Sequence, residues 1–316
     1  MARTLTHELS AHVGETVTIE GWLHKKRLLG GLNFITLRDR GGLAQTKIDN
    51  KDELEKLRGL QVGTVLALTG TVVADERAPG GAELHDVSVS VLVPVTDEPP
   101  IEIDKPLDHK SENLDTLFEH RVLGLRNLQE TAIFKIQAAV KEAARVYLRG
   151  QDFTEFNSPK LLPGATEGGA EVFRLDYFGK EATLAQSAQF YKQIMVGVFE
   201  RAFEINPTYR AEPSATTRHM TEFIHIDAEM GFTNFDELLN TVGGLIKSVT
   251  ESVWQTNEAD LKKWNAQPVV LPESIPRLGL EQVHELYTKA TGESTLGEKD
   301  RSEERRVGKE CRSRWS

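Results

Sequence analysis

Apolar and polar side chains alternate along much of residues 1–95, and pairs of glycines separate several of the alternating segments. A period of two is typical of half-buried β-strands, and paired glycines are typical of the turns between them. Five strands with a helix after the third is the order of an OB-fold barrel, which we predict here. The predicted strands lie at residues 17–24, 33–39, 43–48, 64–73 and 87–95, with the helix at 52–60.

The rest of the chain mixes helical periodicity with short strands. Residues 96–125 begin with a stretch rich in proline and acidic residues, which we predict to be a hinge. An amphipathic helix follows over 128–149, and Gly150 ends it. Further strands are predicted at 153–156, 178–184, 205–209 and 223–232, and further helices at 185–199, 235–256 and 281–291.

The stretch 203–232 is predicted to form a charged strand, loop and strand. Its second strand would carry Phe223, His225, Asp227 and Glu229 on one face, and apolar side chains on the other. Guanidinium groups interleaved with carboxylates suit a polyanion that also carries hydrogen-bond donors, such as a nucleoside triphosphate. The alternative is a hairpin whose charges pair in solvent without a function. The flanking charged residues are Arg210, Glu212, Arg218 and Glu222.

Composition narrows the class of protein. The 316 residues are 39% hydrophobic, which is enough for two domains with cores. A net charge of -10 means that any nucleic acid must bind at local basic patches. The chain has one cysteine, Cys311, and no apolar run of membrane-spanning length or signal-peptide character. We therefore expect a cytoplasmic protein with no membrane contact and no disulfide framework.

The tail at residues 301–316 differs abruptly from the sequence before it. It holds six basic and three acidic residues and shows no helical or strand period. The string resembles a translated sequencing adapter, so we expect a non-native tail that should be left out of fold reasoning. The alternative is a natural basic tail.

Several motifs, in the right order, resemble one enzyme family. Arg210-Ala-Glu212, followed by Arg218-His219 and Phe223, resembles the second signature motif of the class II aminoacyl-tRNA synthetases. The long helix followed by Pro159 resembles their first motif. The strings TEGG and FGKEATLAQSAQFYKQ resemble the aspartate-specific branch of subclass IIb, of archaeal and eukaryotic type. The implied fold class is α+β, with an OB barrel at 1–95, a hinge at 96–125 and an incomplete antiparallel-sheet catalytic domain at 126–300.

The resemblance implies that L-aspartate is joined to tRNA(Asp) through aspartyl-adenylate, with ATP and Mg²⁺. Arg210, the expected catalytic residue, would hold the α-phosphate and the aspartate carboxylate. Phe223 would stack on adenine, and Glu212 would accept from its amino group. Arg218 and His219 would meet the outer phosphates. The implied ATP site comprises Arg210, Glu212, Arg218, His219, Met220 and Phe223.

The amino-acid pocket can also be argued from residue chemistry. Lys192 with neighbouring polar groups suits a carboxylate or a carboxamide, and Glu167 suits an ammonium group. The alternatives are a helix cap at Ser187 with surface side chains around it, and a solvent loop at Glu167. The resemblance implies an aspartate site that comprises Glu167, Ser187, Gln189, Lys192 and Arg210. Ala188 replaces the family's usual proline, and we expect little effect from that change.

The barrel is implied to read the anticodon. Phe34 would stack on a base, and Arg27 and Gln45 would supply polar contacts. The alternatives are a core aromatic at Phe34 and a solvated basic loop at 25–27. Some members of the family charge both tRNA(Asp) and tRNA(Asn). His24 and the glycines of the Gly80-Gly81 turn, which are thought to lie near the pocket for the first anticodon base, resemble that less selective type.

The resemblance also implies a homodimer with Pro159 at its interface, although an ordinary turn proline is the alternative. The third class II motif and the acidic metal ligands before it are absent from this chain. We therefore predict no metal ligands here and expect the 316-residue chain to be nearly inactive. Two rival functions stay open at this point, namely an asparaginyl-tRNA synthetase and a non-catalytic tRNA-binding paralogue.

Overall fold

The structure is a computed structural model that describes residues 3–28, 32–107, 114–165, 172–211, 220–273, 275–292 and 294. These residues fall into two compact units, one with residues up to 233 and 248–268, the other with 234–247 and residues from 269 onward.

The first five strands close into a barrel in the order β1-β2-β3-β5-β4. Apolar side chains from alternate positions fill it, including Ile19, Leu37 and Leu68, each fully buried. This confirms the predicted OB-fold architecture. The elements are β1 (Thr16–Leu28), β2 (Asn33–Asp39), β3 (Gly42–Lys47), α1 (Lys51–Arg58), β4 (Val65–Ala74) and β5 (Ala82–Val93).

Two barrel strands are longer than predicted. β1 continues to Leu28 through a bulge between Leu23 and Lys25, where its register against β2 shifts. The bulge moves the inward-facing positions from odd to even numbers, so period-two counting stops at His24. β5 begins five residues before the predicted start, directly after a 3₁₀ turn at Pro79–Gly81.

The segment after the barrel is anchored by its own small core. Ile101 and Leu107 are buried together with Leu117, and Leu123 packs against them. Asn127 donates from Nδ2 to the carbonyl oxygens of Glu102 (3.1 Å) and Lys105 (2.6 Å). The predicted hinge is therefore fixed to the start of the next helix. Short helices α2 (Leu114–Glu119) and α3 (Arg121–Gly124) precede α4 (Leu128–Gly150).

The second half of the first unit contains two three-stranded sheets, β11-β10-β6 and β7-β9-β8. Sequence analysis missed β8, and the first two residues of the predicted strand 178–184, Phe178 and Gly179, instead form a tight turn at positive φ between β8 and β9. The elements are β6 (Thr154–Glu155), β7 (Leu161–Leu162), β8 (Arg174–Tyr177), β9 (Lys180–Leu184), α5 (Gln189–Phe199), β10 (Arg201–Tyr209) and β11 (Glu222–Met230).

Two long helices complete the described chain. α6 (Phe235–Lys263) runs beyond its predicted end at 256, with a local distortion at Asn257. α7 (Leu280–Thr291) ends at Gly292 in the left-handed conformation. The start of α6, together with residues 271–273 and 275–279, lines a cavity of about 1170 Å³ within the second unit. The described members of the predicted site do not line this cavity.

Candidate substrate site and nucleic-acid face

The β10–β11 hairpin places a row of polar side chains on one face. Its antiparallel register pairs Thr208 with Phe223, Asn206 with His225, and Glu204 with Asp227. Directly opposed residues of an antiparallel pair share a face of the sheet. The predicted alternation of β11 thus holds, but the polar face is the more buried one at Asp227.

The polar face of β11 is more buried at Asp227 than the apolar face is at Ile224. Ile224 is 40% exposed, whereas Asp227 is 6% exposed. The reason is that α5 supplies Lys192 to the polar face and covers its carboxylates.

Lys192 is the centre of this polar face. Its Nζ donates to Asp227 Oδ1 at 2.6 Å and lies 3.4 Å from Glu229 Oε2. Burial acts to lower the pKa of Lys192, but the hydrogen bond and charge of Asp227, together with Glu229, raise it above the ordinary 10.5. Because an ammonium group has three donors, two carboxylates leave room for a further acceptor.

A second buried ion pair lies one strand away. Glu204 is 1% exposed and accepts from the backbone N and Oγ of Ser158 at 2.8 and 3.0 Å. Lys160 Nζ donates to the same carboxylate at 2.5 Å. A buried carboxylate with this many donors is satisfied, so we interpret the Lys160–Glu204 pair as structural support for the hairpin.

Arg210 and Phe223 face each other at the loop end of the hairpin. The Arg210 guanidinium carbon lies 5.5 Å from the Phe223 ring centroid, and the Phe223 and His225 rings are 6.0 Å apart. The backbone N of Arg210 donates to the carbonyl of Thr221 at 3.0 Å, which fixes the start of the loop. The arrangement offers an aromatic platform beside a guanidinium group. Met220, close by, is exposed.

Several polar atoms on this face are buried without a hydrogen-bond partner in the described part of the chain. They are Thr208 Oγ1, His225 Nδ1 and Asp227 Oδ2, and the last two groups are 3.7 Å apart. Buried polar atoms are rarely left unsatisfied, so such a group indicates a ligand or ordered water. The polar face of the hairpin is thus the best-supported substrate site.

The start of α5 has a structural role as well as a proposed functional one. Ser187 is buried, and its Oγ accepts from the backbone N of Gln189 at 3.1 Å. Ser187 therefore adds a side-chain hydrogen bond at the start of α5, whereas the N-cap position itself is Ala188 and has no side-chain cap. Gln189 is half-buried and Ala188 is fully buried against Phe156 and Ala202. A small residue at 188 therefore fills a position inside the core.

Four predicted site residues lie outside the described residues, namely Glu167, Glu212, Arg218 and His219. Asp227 and Glu229 lie beside Lys192 on this face, and sequence analysis did not assign them to the predicted site. Their position two and four residues after His225 on the same strand face was the available signal.

The barrel presents a basic and aromatic outer face. Register places Arg27, Phe34 and Lys47 in one row across β1, β2 and β3, with Thr36 and Gln45 in the next row. Phe34 is half-buried and Arg27 is exposed, so neither lies in the barrel core. Gln45 Nε2 donates to Glu83 Oε2 at 2.6 Å.

Two residues near this face point elsewhere. Lys26 turns inward and donates from Nζ to the carbonyl oxygens of Leu57 and Arg58, both at 3.4 Å, and of Leu60. Burial lowers the pKa of Lys26. His24 lies at the bulge and is 8% exposed. The role of His24 in anticodon binding stays a prediction. Pro159 is exposed, and its place in a dimer interface also stays a prediction.

The helices in the described ranges do not combine the length and apolar character that a membrane span requires. The same residues contain no group of three or more His, Cys, Asp or Glu side chains arranged for a metal ion.

Comparison with protein families gives two matches. Residues 113–311 match tRNA synthetases class II (D, K and N), and residues 17–93 match an OB-fold nucleic acid binding domain. The second match coincides with the closed barrel described above.

Individual relatives agree with the family matches. The chain is 39% identical over 307 residues to an aspartate--tRNA(Asp/Asn) ligase of Deinococcus radiodurans, covering 94% of this chain and 67% of that one. It is 37% identical over 317 residues to a ligase of the same name from Thermus thermophilus, covering 99% and 72%.

A solved structure is also similar. Asparaginyl-tRNA synthetase from Pyrococcus horikoshii, complexed with asparaginyl-adenylate, has a TM-score of 0.82 at 27% identity and covers 94% of this chain and 69% of its own. The chain thus spans roughly two thirds of the length of these relatives. With an OB-fold barrel followed by a matching catalytic region, it belongs to the class II tRNA synthetases of the D, K and N group.

Proposed function

We propose that this chain carries aspartate, ATP and tRNA sites of an enzyme that joins L-aspartate to tRNA(Asp) through aspartyl-adenylate. The observation that carries the proposal is the cation Lys192, held by Asp227 on the same hairpin face as Arg210 and Phe223. One end of this face suits a nucleobase, and at the other end the remaining N–H of Lys192 can donate to an acidic side chain. The names of the relatives, aspartate--tRNA(Asp/Asn) ligase, support the same substrate.

In the first step, an α-carboxylate oxygen of aspartate attacks the α-phosphorus of ATP. A new P–O bond forms, the bond to the bridging oxygen breaks, and pyrophosphate leaves. Arg210 orients the α-phosphate and neutralises charge that develops on it, while Phe223 stacks on the adenine ring. Lys192 binds the side-chain carboxylate and thereby holds the attacking carboxylate in line.

In the second step, a terminal ribose hydroxyl of tRNA attacks the activated carbonyl. The ester C–O bond forms, the bond to phosphate breaks, AMP leaves, and the hydroxyl proton is released. Ser187 and Gln189 complete the aspartate pocket, together with Glu167, which we assign to the substrate ammonium. We assign Glu212 to the adenine amino group, and Arg218 and His219 to the outer phosphates. Mg²⁺ enters as the metal ion of the ATP substrate.

We further propose that the barrel face around Phe34 binds the anticodon, with contacts from Arg27, Gln45 and His24. tRNA(Asn) is proposed as a second substrate, since both relatives above are named for Asp and Asn tRNA. Binding of tRNA(Asp) and tRNA(Asn) transcripts can be compared by fluorescence anisotropy. Comparable affinities support two substrates, and binding of tRNA(Asp) alone contradicts the second.

A homodimer is the proposed assembly, with Pro159 at the interface and the cytoplasm as the place of action, because tRNA is the substrate. Pro159 is exposed beside Leu161, which is itself 41% exposed. Analytical ultracentrifugation checks the assembly. A monomer at micromolar concentration would contradict it.

The deciding test of amino-acid choice measures binding, because the chain spans roughly two thirds of the length of its relatives. Calorimetry compares the sulfamoyl analogues of aspartyl-adenylate and asparaginyl-adenylate. We expect the aspartyl analogue to bind more tightly, and Lys192→Met to remove the preference. Lys180→Met, an exposed lysine at the start of β9, is the matched control. Tighter binding of the asparaginyl analogue would favour the asparaginyl enzyme, and binding of neither would favour a non-catalytic paralogue.

A further inference from the structure

The outer face of β2 continues past the proposed anticodon site to Arg38. Phe34, Thr36 and Arg38 alternate with the buried residues of this strand and therefore share its outward side. At about 3.4 Å per residue, Arg38 lies roughly 14 Å along the strand from Phe34. The face that we propose for nucleic acid thus ends on a guanidinium group.

Arg38 is held against an aromatic ring. It pairs with Trp22 across β1 and β2, and its guanidinium carbon lies 4.9 Å from the Trp22 ring centroid. Trp22 is 39% exposed, so the stack borders solvent. Stacking fixes the plane of the guanidinium group while leaving its N–H edge available for an acceptor.

A second guanidinium group lies at the same end of the barrel. Arg126 Nη1 is 3.6 Å from the point that a Cβ on Gly63 would occupy. The backbone N of Gly63 donates to the carbonyl of Leu23 at 2.7 Å, and Leu23 adjoins Trp22 in β1. Arg126 therefore reaches the edge of the barrel where Arg38 stacks.

Neither arginine has an ion-pair partner within the described ranges. Both are half-buried. Burial lowers the pKa of Arg38, and the charge of Arg126 lowers it further. Two further groups nearby can carry positive charge, namely Lys25 and the imidazole of His24. The carboxylate of Asp104 lies close enough to His24 to oppose the effect of the nearby cations on the pKa of His24. Two unpaired like charges that are partly removed from water favour an anion between them.

We infer that Arg38 and Arg126 bind a backbone phosphate of the RNA whose bases contact the Phe34 face. This inference rests on the proposed function, because it assumes that the barrel binds tRNA. Arginine forks bind phosphate oxygens in pairs, and a chain of net charge -10 can attract RNA through local patches of this kind. A phosphate contact positions RNA without reading its sequence.

The test measures tRNA(Asp) affinity by fluorescence anisotropy over a series of salt concentrations. Removing one phosphate contact reduces the slope of log K against log salt by about one. We expect this for both Arg38→Gln and Arg126→Gln, with Arg38→Lys retaining the wild-type slope. Arg77→Gln is the control, since Arg77 is exposed and paired with Asp75 outside this face.

The same variants are measured with an unrelated tRNA. An equal loss of affinity for both tRNAs supports a phosphate contact. A loss of affinity for tRNA(Asp) alone would show base recognition and overturn the assignment. Wild-type slopes in both Gln variants would also overturn it. If Arg38→Gln lowers the melting temperature, Arg126→Gln decides the question. If wild-type protein binds no tRNA at low salt, the proposed function itself fails.

Discussion

Lys192 Nζ on α5 donates to Asp227 Oδ1 on β11 at 2.6 Å, and the two side chains are 13% and 6% exposed. The pair joins the helix to the hairpin and positions the ammonium group of the proposed aspartate pocket. Glu229, at 3.4 Å from the same Nζ, leaves the three described groups with a net charge of -1.

Breaking this pair is expected to change stability in a pH-dependent way. The pKa of Lys192 is raised in the folded state, so its stabilising contribution is fully present below about pH 10 and is lost as pH rises through the folded pKa. The free energy of unfolding of wild type should therefore fall more steeply above pH 10 than that of Lys192→Met. Urea unfolding at several pH values measures the difference. Lys180→Met should follow the wild-type curve, and identical curves for all three proteins would contradict the linkage.

Much of the site architecture could be predicted from the sequence, because alternation in β11 puts Phe223, His225, Asp227 and Glu229 on one face. The pairing of Lys192 with Asp227 could not, since it depends on how α5 packs over that face. The alternation of apolar and polar residues also does not show which face of a strand is covered by other elements. In β11 the polar face is covered at Asp227, where the buried Lys192 donates to Oδ1 of the carboxylate.

The basic run at 25–27 shows a different limit of sequence patterns. Sequence analysis treated these residues as one cluster, but the bulge at His24 reverses the alternation, so Lys26 points inward. A bulge adds one residue to a strand and leaves no reliable mark in the hydrophobic pattern. OB topology was predictable from strand order, whereas the orientation of individual side chains after the bulge was not.

Lys25 and Lys26 are adjacent, but substitution of Lys26 should reduce stability and substitution of Lys25 should reduce RNA binding. Lys26→Met removes the ammonium group that caps the C-terminal carbonyls of α1, so we expect a loss of about 1–3 kcal/mol in the free energy of unfolding. Lys25→Met should leave stability unchanged and weaken RNA binding, because Lys25 is exposed on the barrel face. Urea unfolding and tRNA anisotropy separate the two effects. Equal destabilisation by both variants would mean that Lys26 does not cap the helix.

Phe223 is expected to contribute to nucleotide affinity by stacking. Base stacking on an aromatic ring is worth about 1–3 kcal/mol, so Phe223→Ala should raise the Kd for ATP roughly tenfold or more. Phe232→Ala is a suitable control, because Phe232 is 98% exposed just after the same strand. Calorimetric titration with ATP provides the measurement. An unchanged Kd in Phe223→Ala would remove adenine from this platform.

Asn127 and Asn50 cap their helices in the same way but differ in what else they bind. Each side-chain oxygen accepts a hydrogen bond from the backbone N two residues later, at 2.9 Å for Asn127 and 2.8 Å for Asn50. Asn50→Ala should cost about 1 kcal/mol, the usual value of an N-cap. Asn127→Ala should cost more, because Asn127 Nδ2 also donates to the linker. Limited proteolysis should then cut residues 98–107 faster in Asn127→Ala only. Similar costs and cleavage rates would show that the linker is held by its apolar residues.

The buried side chain of His24 should make the stability of the barrel depend on pH. Burial lowers the pKa of His24 most, and the charges of Arg38 and Lys25 add to the shift against the opposing effect of Asp104. Between the folded pKa and the unfolded value near 6.5, the unfolded chain binds more protons, so stability should fall as pH drops below about 6.5. His24→Gln should flatten this fall, and His12→Gln, at a half-exposed histidine that pairs with Glu15, is the control. Urea unfolding between pH 5 and 7 gives the comparison. If the free energy of unfolding of His24→Gln falls as much as that of the wild type, other groups cause the acid sensitivity. Protonation of His24 on binding RNA would then not destabilise the barrel.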